Sequence, residues 1–197
     1  MLKEVPFKYT ARNMGKENMV VLVDQDDNEI GLEEKLKAHQ DGGKLHRAIS
    51  VFVFNSKGQL MMQKRAFEKY HGGGLWSNTC CSHPFPGEPP IEAAHRRLFE
   101  EMGFDCDLYE VVAFAYEAKM DKGLTEKEYD HYFAGIYDGK PNINPEEVAD
   151  WKWVSPNQLL NDTKRHASAY TPFFLVFFER VLNKVKEEGI THLDAGS

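Results

Sequence analysis

The amino-acid sequence predicts a single compact domain of the α+β class, with a mixed β-sheet flanked by α-helices. Segments rich in Val, Ile, Phe and Tyr dominate the middle of the chain, whereas helical periodicity follows residue 89 and dominates the C-terminal part. No internal repeat or low-complexity tract divides the 197 residues, which are enough for one domain with a sizeable core. We assign residues 18–190 to this domain and residues 1–17 to an N-terminal extension.

Strands are predicted where β-branched and aromatic residues form short runs between turn-forming residues. The run 45–54 lacks strict alternation, which is typical of a strand buried on both faces. The turn 55–58 joins it to the next run as a hairpin, and the glycines 72–74 predict a flexible loop. The predicted strands are 18–23, 45–54, 59–64, 111–116, 129–137 and 151–154.

Helices are predicted from apolar periodicity and from capping residues. Apolar residues recur at helical spacing through 89–102, and Gly103 suits the left-handed position after a helix. Ser155 and Thr171 are each followed by proline, a combination that predicts the start of a helix. The last of these helices is expected to end before Gly189.

The composition excludes several functional classes. With a net charge of −7 and dispersed basic residues, the chain is not expected to bind nucleic acid. Its longest apolar run is too short to span a bilayer, and its N-terminus lacks the apolar core of a secretory signal. Three cysteines do not indicate a disulfide framework. We therefore expect a cytoplasmic protein with no nucleic-acid or membrane partner.

The stretch 77–84, S-N-T-C-C-S-H-P, contains the first candidate for reactive chemistry. Cys81 stands two positions before His83, so an extended segment would point both side chains to one face. Positive charge near a thiol lowers its pKa and makes it reactive. The alternative is a pair of core cysteines, because free cysteine is among the most buried residue types.

A second set of residues has the chemistry of metal ligands. Three imidazoles and two carboxylates would suit Mg, Mn, Fe or Zn rather than a thiolate-rich structural zinc site. On a strand, both glutamates of the E-K-E triplet would face one side. The alternative places the first histidine on a solvated helix and the triplet at an exposed strand end. The candidate ligands are His39, His46, His83, Glu126 and Glu128.

The helix after Gly87 carries a charged motif that resembles the Nudix box, G-x5-E-x7-R-E-U-x-E-E-x-G-U, in which U is a bulky aliphatic residue. Ser82 replaces the opening glycine, and Arg97 replaces the glutamate of R-E-U. In Nudix hydrolases that glutamate helps to hold the magnesium ions that promote attack of water on a diphosphate. A cation in its place favours phosphate binding over hydrolysis, whereas a solvated charged face is the alternative. The retained positions are Glu88, Arg96, Leu98, Glu100, Glu101 and Gly103.

Basic and aromatic residues complete the candidate site. Lysine and arginine side chains that converge on one pocket would clamp a diphosphate, since arginine offers planar bidentate contacts. Aromatic faces around a reacting centre stabilise cations, although most aromatic residues belong to the core. The basic candidates are Lys35, Arg65, Lys69 and Arg97, and the aromatic candidates are Trp76, Tyr116, Tyr170 and Phe173.

Taken together, these residues resemble the type I isopentenyl-diphosphate isomerases, Nudix-fold enzymes of isoprenoid synthesis, from about residue 18 to 179. Residues 45–48 resemble the start of the family's L-H-R-A-F-S segment, 77–84 its T-N-T-C-C-S-H-P and 126–128 its E-x-E. The resemblance implies a Nudix-like sheet and isomerisation of isopentenyl diphosphate to dimethylallyl diphosphate through a carbocation-like intermediate. It also implies a small diphosphate as the partner, and we expect a monomer or weak homodimer.

The resemblance also implies a role for each matching residue. Cys81 and Glu128 would be the catalytic pair, with Tyr116 beside them, and either member could deliver the first proton. The five candidate ligands would bind a divalent metal, Mn²⁺, Zn²⁺ or Mg²⁺, and Glu101 would contribute to a Mg²⁺ ion held with the substrate diphosphate. The four basic candidates would contact that diphosphate, and Trp76 and Phe173 would contact the substrate.

One departure from the family pattern concerns the aromatic wall, by which we mean the aromatic side chain at position 173 that would face the carbon skeleton of the substrate. Family members commonly have S/T-P-W near the start of the last helix, whereas this chain has Thr171-Pro172-Phe173. Phenylalanine keeps a π-face but attracts a cation less strongly than tryptophan. Two other functions stay open: a Nudix diphosphate hydrolase, and a non-catalytic Nudix-like module that binds a metal or a nucleotide.

Overall fold

The strands pair into one mixed sheet, and helices flank it. The computed structural model describes residues 18–69 and 71–190. The strands are β1 (Met19–Val23), β2 (Glu29–Glu34), β3 (His46–Phe54), β4 (Leu60–Arg65), β5 (Trp76–Ser77), β6 (Cys80–Ser82), β7 (Leu108–Lys119), β8 (Thr125–Ile136) and β9 (Val148–Val154). The α-helices are α1 (Lys35–His39), α2 (Pro90–Met102), α3 (Pro156–Arg165) and α4 (Pro172–Glu187). The α+β class with a mixed sheet is therefore confirmed. No helix within the described ranges is both long and apolar enough to cross a bilayer.

Strand β3 is the centre of the sheet. It runs parallel to β8 along its whole length and antiparallel to β6, β1 and β4. Because a strand has only two edges, β6 lies on the edge opposite β8. The register places His46 level with Glu128 and Ser50 level with Cys81. Three strands thus bring a histidine, a carboxylate and a thiol to one region.

Each face of β3 packs against a different helix, as its composition predicts. Phe52 and Phe54 belong to a core cluster that includes Phe174 and Phe177 of α4. Their neighbours Ile49, Val51 and Val53 belong to a second cluster with Leu98 and Met102 of α2. The two sets alternate because successive side chains of a strand point to opposite faces. The helix that carries the charged motif and the helix that carries Phe173 therefore cover opposite faces of the sheet.

Strands β7 and β8 are longer than the sequence predicts. Their antiparallel pairing continues to Lys119 and Thr125, beyond the predicted runs, and a short 3-10 turn over Asp121–Gly123 closes the hairpin. The E-K-E triplet therefore lies within β8 rather than before it. Charged residues at the strand end hid this extension, because they interrupt the apolar pattern on which the prediction depends.

Four elements were not predicted from the sequence: β2, α1 and the short strands β5 and β6. Strand β2 is an edge strand that pairs only with β1 among the described residues, and its Ile30 and Leu32 are exposed. An edge strand of acidic composition has no burial pattern to detect. Helix α1 has five residues, too few for helical periodicity to register. Helix α1 matters, because it ends at His39.

The glycines predicted to form a flexible loop lie in a tight reversal of the chain. Gly72 and Gly74 have positive φ angles of 59° and 76°. A Cβ atom on Gly73 would lie 2.5 Å from the carbonyl oxygen of Phe67, so the backbone approach requires glycine. The loop is therefore packed against itself.

The predicted helix starts and ends are largely confirmed. The Ser155 hydroxyl accepts a hydrogen bond from the backbone N–H of Gln158, 3.3 Å away, at the start of α3. Thr171 precedes α4 as expected, but its hydroxyl donates to Ser77 Oγ at 3.2 Å instead of capping the helix. Gly103 ends α2 in the left-handed conformation, with φ of 72°.

Replacement of Gly103 by alanine is expected to destabilise the protein strongly. A left-handed conformation costs an L-residue about 1–2 kcal/mol, and the added Cβ would also lie 2.2 Å from the backbone oxygen of Asn142. Gly123→Ala is the matched control, because its φ is 74° and nothing lies within 4 Å of its Cβ position. Urea unfolding should show a larger loss of unfolding free energy for Gly103→Ala than for Gly123→Ala. Equal losses would contradict the close approach.

Candidate active site and metal centre

A cavity is lined by residues of β4, β6, β7, β8 and α2, and most of the predicted site residues line it. His39 and His46 are fully buried behind this lining, and Trp76 is not part of it. The predicted residues in the lining are Lys35, Arg65, Lys69, Cys81, His83, Arg97, Glu101, Tyr116, Glu126, Glu128 and Phe173.

The five candidate metal ligands form one cluster. One ligand atom from each residue lies within 4.8 Å of all the others. The fold explains this convergence, because His39 ends α1, His46 starts β3 and His83 follows β6. Glu126 and Glu128 are two apart on β8, so they face the same side.

The ring orientations point the Nε2 atoms of the histidines into the cluster. His39 Nδ1 lies 2.6 Å from the carbonyl oxygen of Lys35, and His46 Nδ1 lies 2.7 Å from that of Lys44. A carbonyl can only accept, so Nδ1 donates and Nε2 is left as the ligand atom. His46 Nε2 and His83 Nε2 are 3.2 Å apart.

The carboxylates meet these nitrogens at short range. Glu126 Oε2 lies 2.7 Å from His39 Nε2, and Glu128 Oε1 lies 2.9 Å from His83 Nε2. His39 is 0% exposed, Glu126 4% and Glu128 6%. The alternatives of a solvated helix and an exposed strand end are therefore wrong.

The electrostatics fit a divalent cation. Burial and the Glu128 charge favour the neutral form of Glu126, but hydrogen bonds from His39 and His71 outweigh them and lower the pKa of Glu126 to about 2. Burial likewise opposes ionisation of Glu128, and His46 and Tyr116 lower its pKa to about 2. Burial, together with Lys35 and the other histidines, lowers the pKa of His83 well below its ordinary value. Ionised carboxylates and a neutral imidazole are the metal-binding forms.

The pKa of His39 is shifted in the opposite direction to that of His83. Burial favours its neutral form, but the hydrogen bond and the negative charge of Glu126 raise the pKa of His39 above its ordinary value. A divalent ion bound in the cluster would favour the neutral form of His39, because metal and proton compete for the same lone pair. The donor set of buried imidazole nitrogens and carboxylate oxygens thus suits a divalent metal.

Cys81 is the cysteine that faces the site. Its Sγ lies 3.3 Å from Ser50 Oγ and donates to Asn78 Oδ1 at 3.0 Å. The Asn78 amide group donates to the backbone oxygens of Val51 and Cys80, which leaves Oδ1 as the acceptor. Cys80 points to the opposite face, into the cluster beneath α2.

The thiol is held in its protonated form. Burial raises the pKa of Cys81, and the negative charge of Asp130 adds to this effect. The expected lowering of this pKa by positive charge near the thiol is therefore not found among the described residues, where burial and Asp130 raise it. The reason is physical: burial penalises the charged thiolate, and the negative charges of Asp130 and Glu128 raise the pKa of Cys81 further.

Tyr116 and Glu128 form a second pair in the cavity. The Tyr116 hydroxyl donates to Glu128 Oε2 at 2.5 Å, while Glu128 Oε1 faces His83. Both side chains are buried, and burial raises the pKa of Tyr116 well above its ordinary value. Glu128 therefore connects the candidate metal centre to the cavity that Cys81 also lines.

The basic candidates converge at the mouth of the same cavity. Arg97 contacts Glu100 at 2.7 Å, Glu101 at 2.6 Å and Glu147 at 3.4 Å, and Lys69 contacts Glu147 as well. Burial and the charge of Arg97 lower the pKa of Lys35 to about 8. Half-buried cations that line one cavity and repel one another favour the binding of an anion.

The charged motif of α2 divides into two parts. Arg96 is buried and makes bidentate contacts of 2.7 Å with Glu88, so this pair holds the loop before α2 to the helix. Arg97 and Glu101, one turn apart, face the cavity instead. Glu101 also accepts a hydrogen bond of 2.8 Å from Gln63.

The two aromatic candidates for substrate contact differ in position. Phe173 lines the cavity, with Arg65 Cζ 5.7 Å from its ring centroid. The Trp76 ring instead lies beneath Lys152, whose Nζ is 4.0 Å from the ring centroid. A contact between Trp76 and the substrate therefore stays a prediction.

Several residues of the site were missed from the sequence. His71 and Glu147 line the cavity, but an isolated histidine or glutamate carries no pattern. Asn78 lies within the S-N-T-C-C-S-H-P stretch, so its position beside the thiol was the one available signal. Asp130 continues the alternation of Glu126 and Glu128 on β8 and contacts Ser50 at 2.7 Å.

Comparison with known proteins adds independent information. The NUDIX domain family matches residues 44–174. Isopentenyl-diphosphate Delta-isomerase 2 of Aromatoleum aromaticum is 50% identical over 167 residues, which cover 85% of this chain and 88% of that protein. Isopentenyl-diphosphate Delta-isomerase of Serratia proteamaculans is 47% identical and covers 83% of this chain and 90% of its own length.

Solved structures support the fold at lower sequence identity. A crystal structure of the DR0079 protein from Deinococcus radiodurans superposes with a TM-score of 0.63 at 19% identity, covering 78% of this chain and 91% of its own. A MutT protein from Methanosarcina mazei Go1 gives a TM-score of 0.59 at 19% identity, with coverages of 74% and 96%. Identities this low bear on the fold alone.

Metal-free protein is expected to gain thermal stability when Mn²⁺ is added. A ligand that binds only the folded state stabilises it by about 2.7 kcal/mol at a hundredfold excess over Kd. Thermal unfolding with and without Mn²⁺ measures the shift, and a chelator should reverse it. Glu126→Gln should lose most of the shift, whereas Glu117→Gln, at an exposed position of β7, should keep it. An unchanged shift in Glu126→Gln would place the metal outside this cluster.

Proposed function

Because the chain belongs to the Nudix superfamily and, within it, to the type I isopentenyl-diphosphate isomerase family, we propose that it converts isopentenyl diphosphate to dimethylallyl diphosphate. One observation carries this proposal: Cys81 and the Tyr116–Glu128 pair line one cavity whose mouth is basic. The reaction needs a group that gives a proton to one carbon and a group that takes a proton from another. The cavity supplies a protonated thiol and an ionised carboxylate.

The basic side chains are proposed to bind the diphosphate. Arg65, Lys69 and Arg97 line the cavity together with Lys35, whose pKa is lowered to about 8 by burial and by Arg97. An anion among them would relieve this repulsion and would favour the charged form of Lys35. Binding there would hold the carbon skeleton against Cys81 and Glu128, and such positioning is a large part of catalysis.

Two divalent ions are proposed to take part. His39, His46, His83, Glu126 and Glu128 would hold one, Mn²⁺, Zn²⁺ or Mg²⁺, and Glu101 would contribute to a Mg²⁺ ion that arrives with the diphosphate. When bound, these ions neutralise negative charge and orient the carboxylates. Glu101 lines the same cavity as the basic side chains, which supports this role.

The protein residues do the proton chemistry in this proposal. Cys81 on β6 and Glu128 on β8 exchange protons with the substrate at two carbons, and Tyr116 holds the Glu128 carboxylate in place. The intermediate is a tertiary cation, which the ring of Phe173 and the exclusion of water would stabilise. Phe173 is 3% exposed, so its ring is shielded from solvent.

The alternative functions are less well supported. A Nudix hydrolase holds magnesium ions with the glutamate that Arg97 replaces, and here the guanidinium contacts Glu100 and Glu101 itself. A non-catalytic module would have no need of the Cys81–Asn78 and Tyr116–Glu128 contacts. Incubation with isopentenyl diphosphate and Mg²⁺ separates the three: dimethylallyl diphosphate supports the isomerase, free phosphate the hydrolase, and neither product the binding module.

Replacement of Cys81 by alanine is expected to abolish isomerase turnover, because it removes the thiol from the cavity. Cys80→Ala is the matched control: its thiol packs in the core beneath α2, so this variant should keep its kcat while it loses some stability. Steady-state rates, together with thermal unfolding, decide between them. Normal turnover in Cys81→Ala with loss in Cys80→Ala would mean that the thiols are assigned the wrong way round.

The ring at position 173 is expected to matter for turnover more than for folding. Phe173→Leu should lower kcat by roughly thirtyfold, because a desolvated cation–π contact contributes about 2 kcal/mol. The kcat of Phe173→Trp should lie between slightly below and several-fold above that of the wild type. Indole binds a cation more strongly than phenyl, but overpacking costs about 1–3 kcal/mol. Both values come from steady-state kinetics.

Phe174→Leu is the matched control for these variants. Phe174 is the next residue of α4, is 0% exposed and does not line the cavity. This variant should lose stability and keep its kcat. A Phe173→Leu variant with wild-type turnover would remove Phe173 from the proposed active site.

A further inference from the structure

His71 is a buried histidine of the cavity to which the sequence motifs give no role. It lies in the reversal between β4 and β5, is 4% exposed and lines the cavity. Its carbonyl oxygen accepts a hydrogen bond of 3.3 Å from Arg65, and the next residue, Gly72, donates to Asp121 at 3.4 Å. Asp121 belongs to the turn that precedes β8. The loop is therefore docked beside the start of the strand that carries Glu126.

The imidazole of His71 contacts Glu126, one of the five candidate metal ligands. His71 Nε2 lies 3.1 Å from Glu126 Oε1, within hydrogen-bond distance. The other oxygen, Glu126 Oε2, lies 2.7 Å from His39 Nε2 inside the ligand cluster. The two imidazoles thus engage the two oxygens of one buried carboxylate.

His71 itself stands outside the set of converging ligand atoms. That set comprises three other histidines and two glutamates, and its atoms all lie within 4.8 Å of one another. The ring of His71 is 6.1 Å from that of His39 and meets the ring of Phe173 edge-on at 6.4 Å. Its position is therefore between the metal cluster and the aromatic wall.

We propose that His71 is a positioning residue that fixes the Glu126 carboxylate for metal binding by holding Oε1, so that Oε2 faces the cluster. The inference rests on the proposed metal site. A buried carboxylate that is free to rotate loses conformational entropy when it binds a metal. A hydrogen-bond partner on its second oxygen orders the carboxylate beforehand and so removes this entropic cost. Loss of such outer partners typically weakens metal affinity about 10- to 100-fold.

The test measures the Kd of Mn²⁺ for the metal-free, full-length chain by isothermal titration calorimetry. His71→Leu removes the hydrogen bond and keeps most of the side-chain volume, whereas His71→Gln keeps a long side chain with a donor. His95→Leu is the matched control, since it breaks another histidine–carboxylate contact, 2.6 Å to Asp105, at a position outside the cavity lining. Thermal unfolding without metal verifies folding, and His71→Asn, whose shorter amide cannot reach Glu126, replaces the leucine variant if that variant does not fold.

We expect His71→Leu to bind Mn²⁺ about 10- to 100-fold more weakly, His71→Gln to lie close to wild type, and His95→Leu to be unchanged. Equal affinity in wild type and His71→Leu, or equal losses in the leucine and glutamine variants, would overturn the positioning role. If His71→Leu and His71→Gln both lost Mn²⁺ affinity as completely as His39→Leu, His71 would be a metal ligand, and the positioning role would also be overturned. If the wild-type chain bound no Mn²⁺, the metal site of the proposed function would fail as well, whereas the other outcomes leave that site intact.

Discussion

The parallel pairing of β3 with β8 is the constraint on which the rest of the structure depends. It sets His46 level with Glu128, and β6 on the other edge of β3 sets Cys81 level with Ser50. A shift of one residue in either register would turn every side chain to the opposite face. The core prevents such a shift, because Phe52 and its alternate neighbours must meet α4 while Val51 and its neighbours meet α2. Hydrophobic packing thus fixes the geometry of a polar site.

That site gathers charge in the interior, which is costly unless opposite charges meet. The three histidines and two glutamates are buried together, and breaking one such pair leaves an unpaired buried charge that costs about 3–5 kcal/mol. The same argument applies at the mouth, where Arg97 is surrounded by three carboxylates. The cluster of histidines and glutamates has the donor set of a site for a divalent cation. The cost of burial is thereby coupled to ligand binding.

Replacement of a glutamate by Arg97 shows how one fold can host different chemistry. The Arg96–Glu88 pair is the structural part of the motif, since it holds the preceding loop to α2. The part that faces the cavity carries a cation in place of an anion, which favours holding a diphosphate over hydrolysing it. The groups proposed to exchange protons come from other elements, β6 and β8, and the ring proposed to stabilise the cation is Phe173 at the start of α4. Function therefore depends on side chains placed around the motif rather than on the motif alone.

The sequence by itself determined the class of the fold, the central strands and the helix ends, because their signals are local. Burial of β3 on both faces, the periodicity of α2 and the left-handed Gly103 can each be read from neighbouring residues. The S-N-T-C-C-S-H-P stretch and the E-K-E triplet likewise identified candidate groups. Edge strand β2 and the five-residue α1 were not predicted, since neither has enough buried or periodic residues to produce a pattern.

Residue spacing alone did not show which of these groups meet; the family resemblance implied a shared metal site, and the tertiary structure brings the groups together. His39 and Glu126 are 87 residues apart in the chain and 2.7 Å apart in space, a relation that no spacing rule contains. The raised pKa of Cys81 depends on burial and on Asp130, and the role inferred for His71 depends on a loop that docks beside β8. The residue types define which chemical groups the protein has. Strand register and burial determine which of these groups lie together, because distance and desolvation are properties of the folded chain.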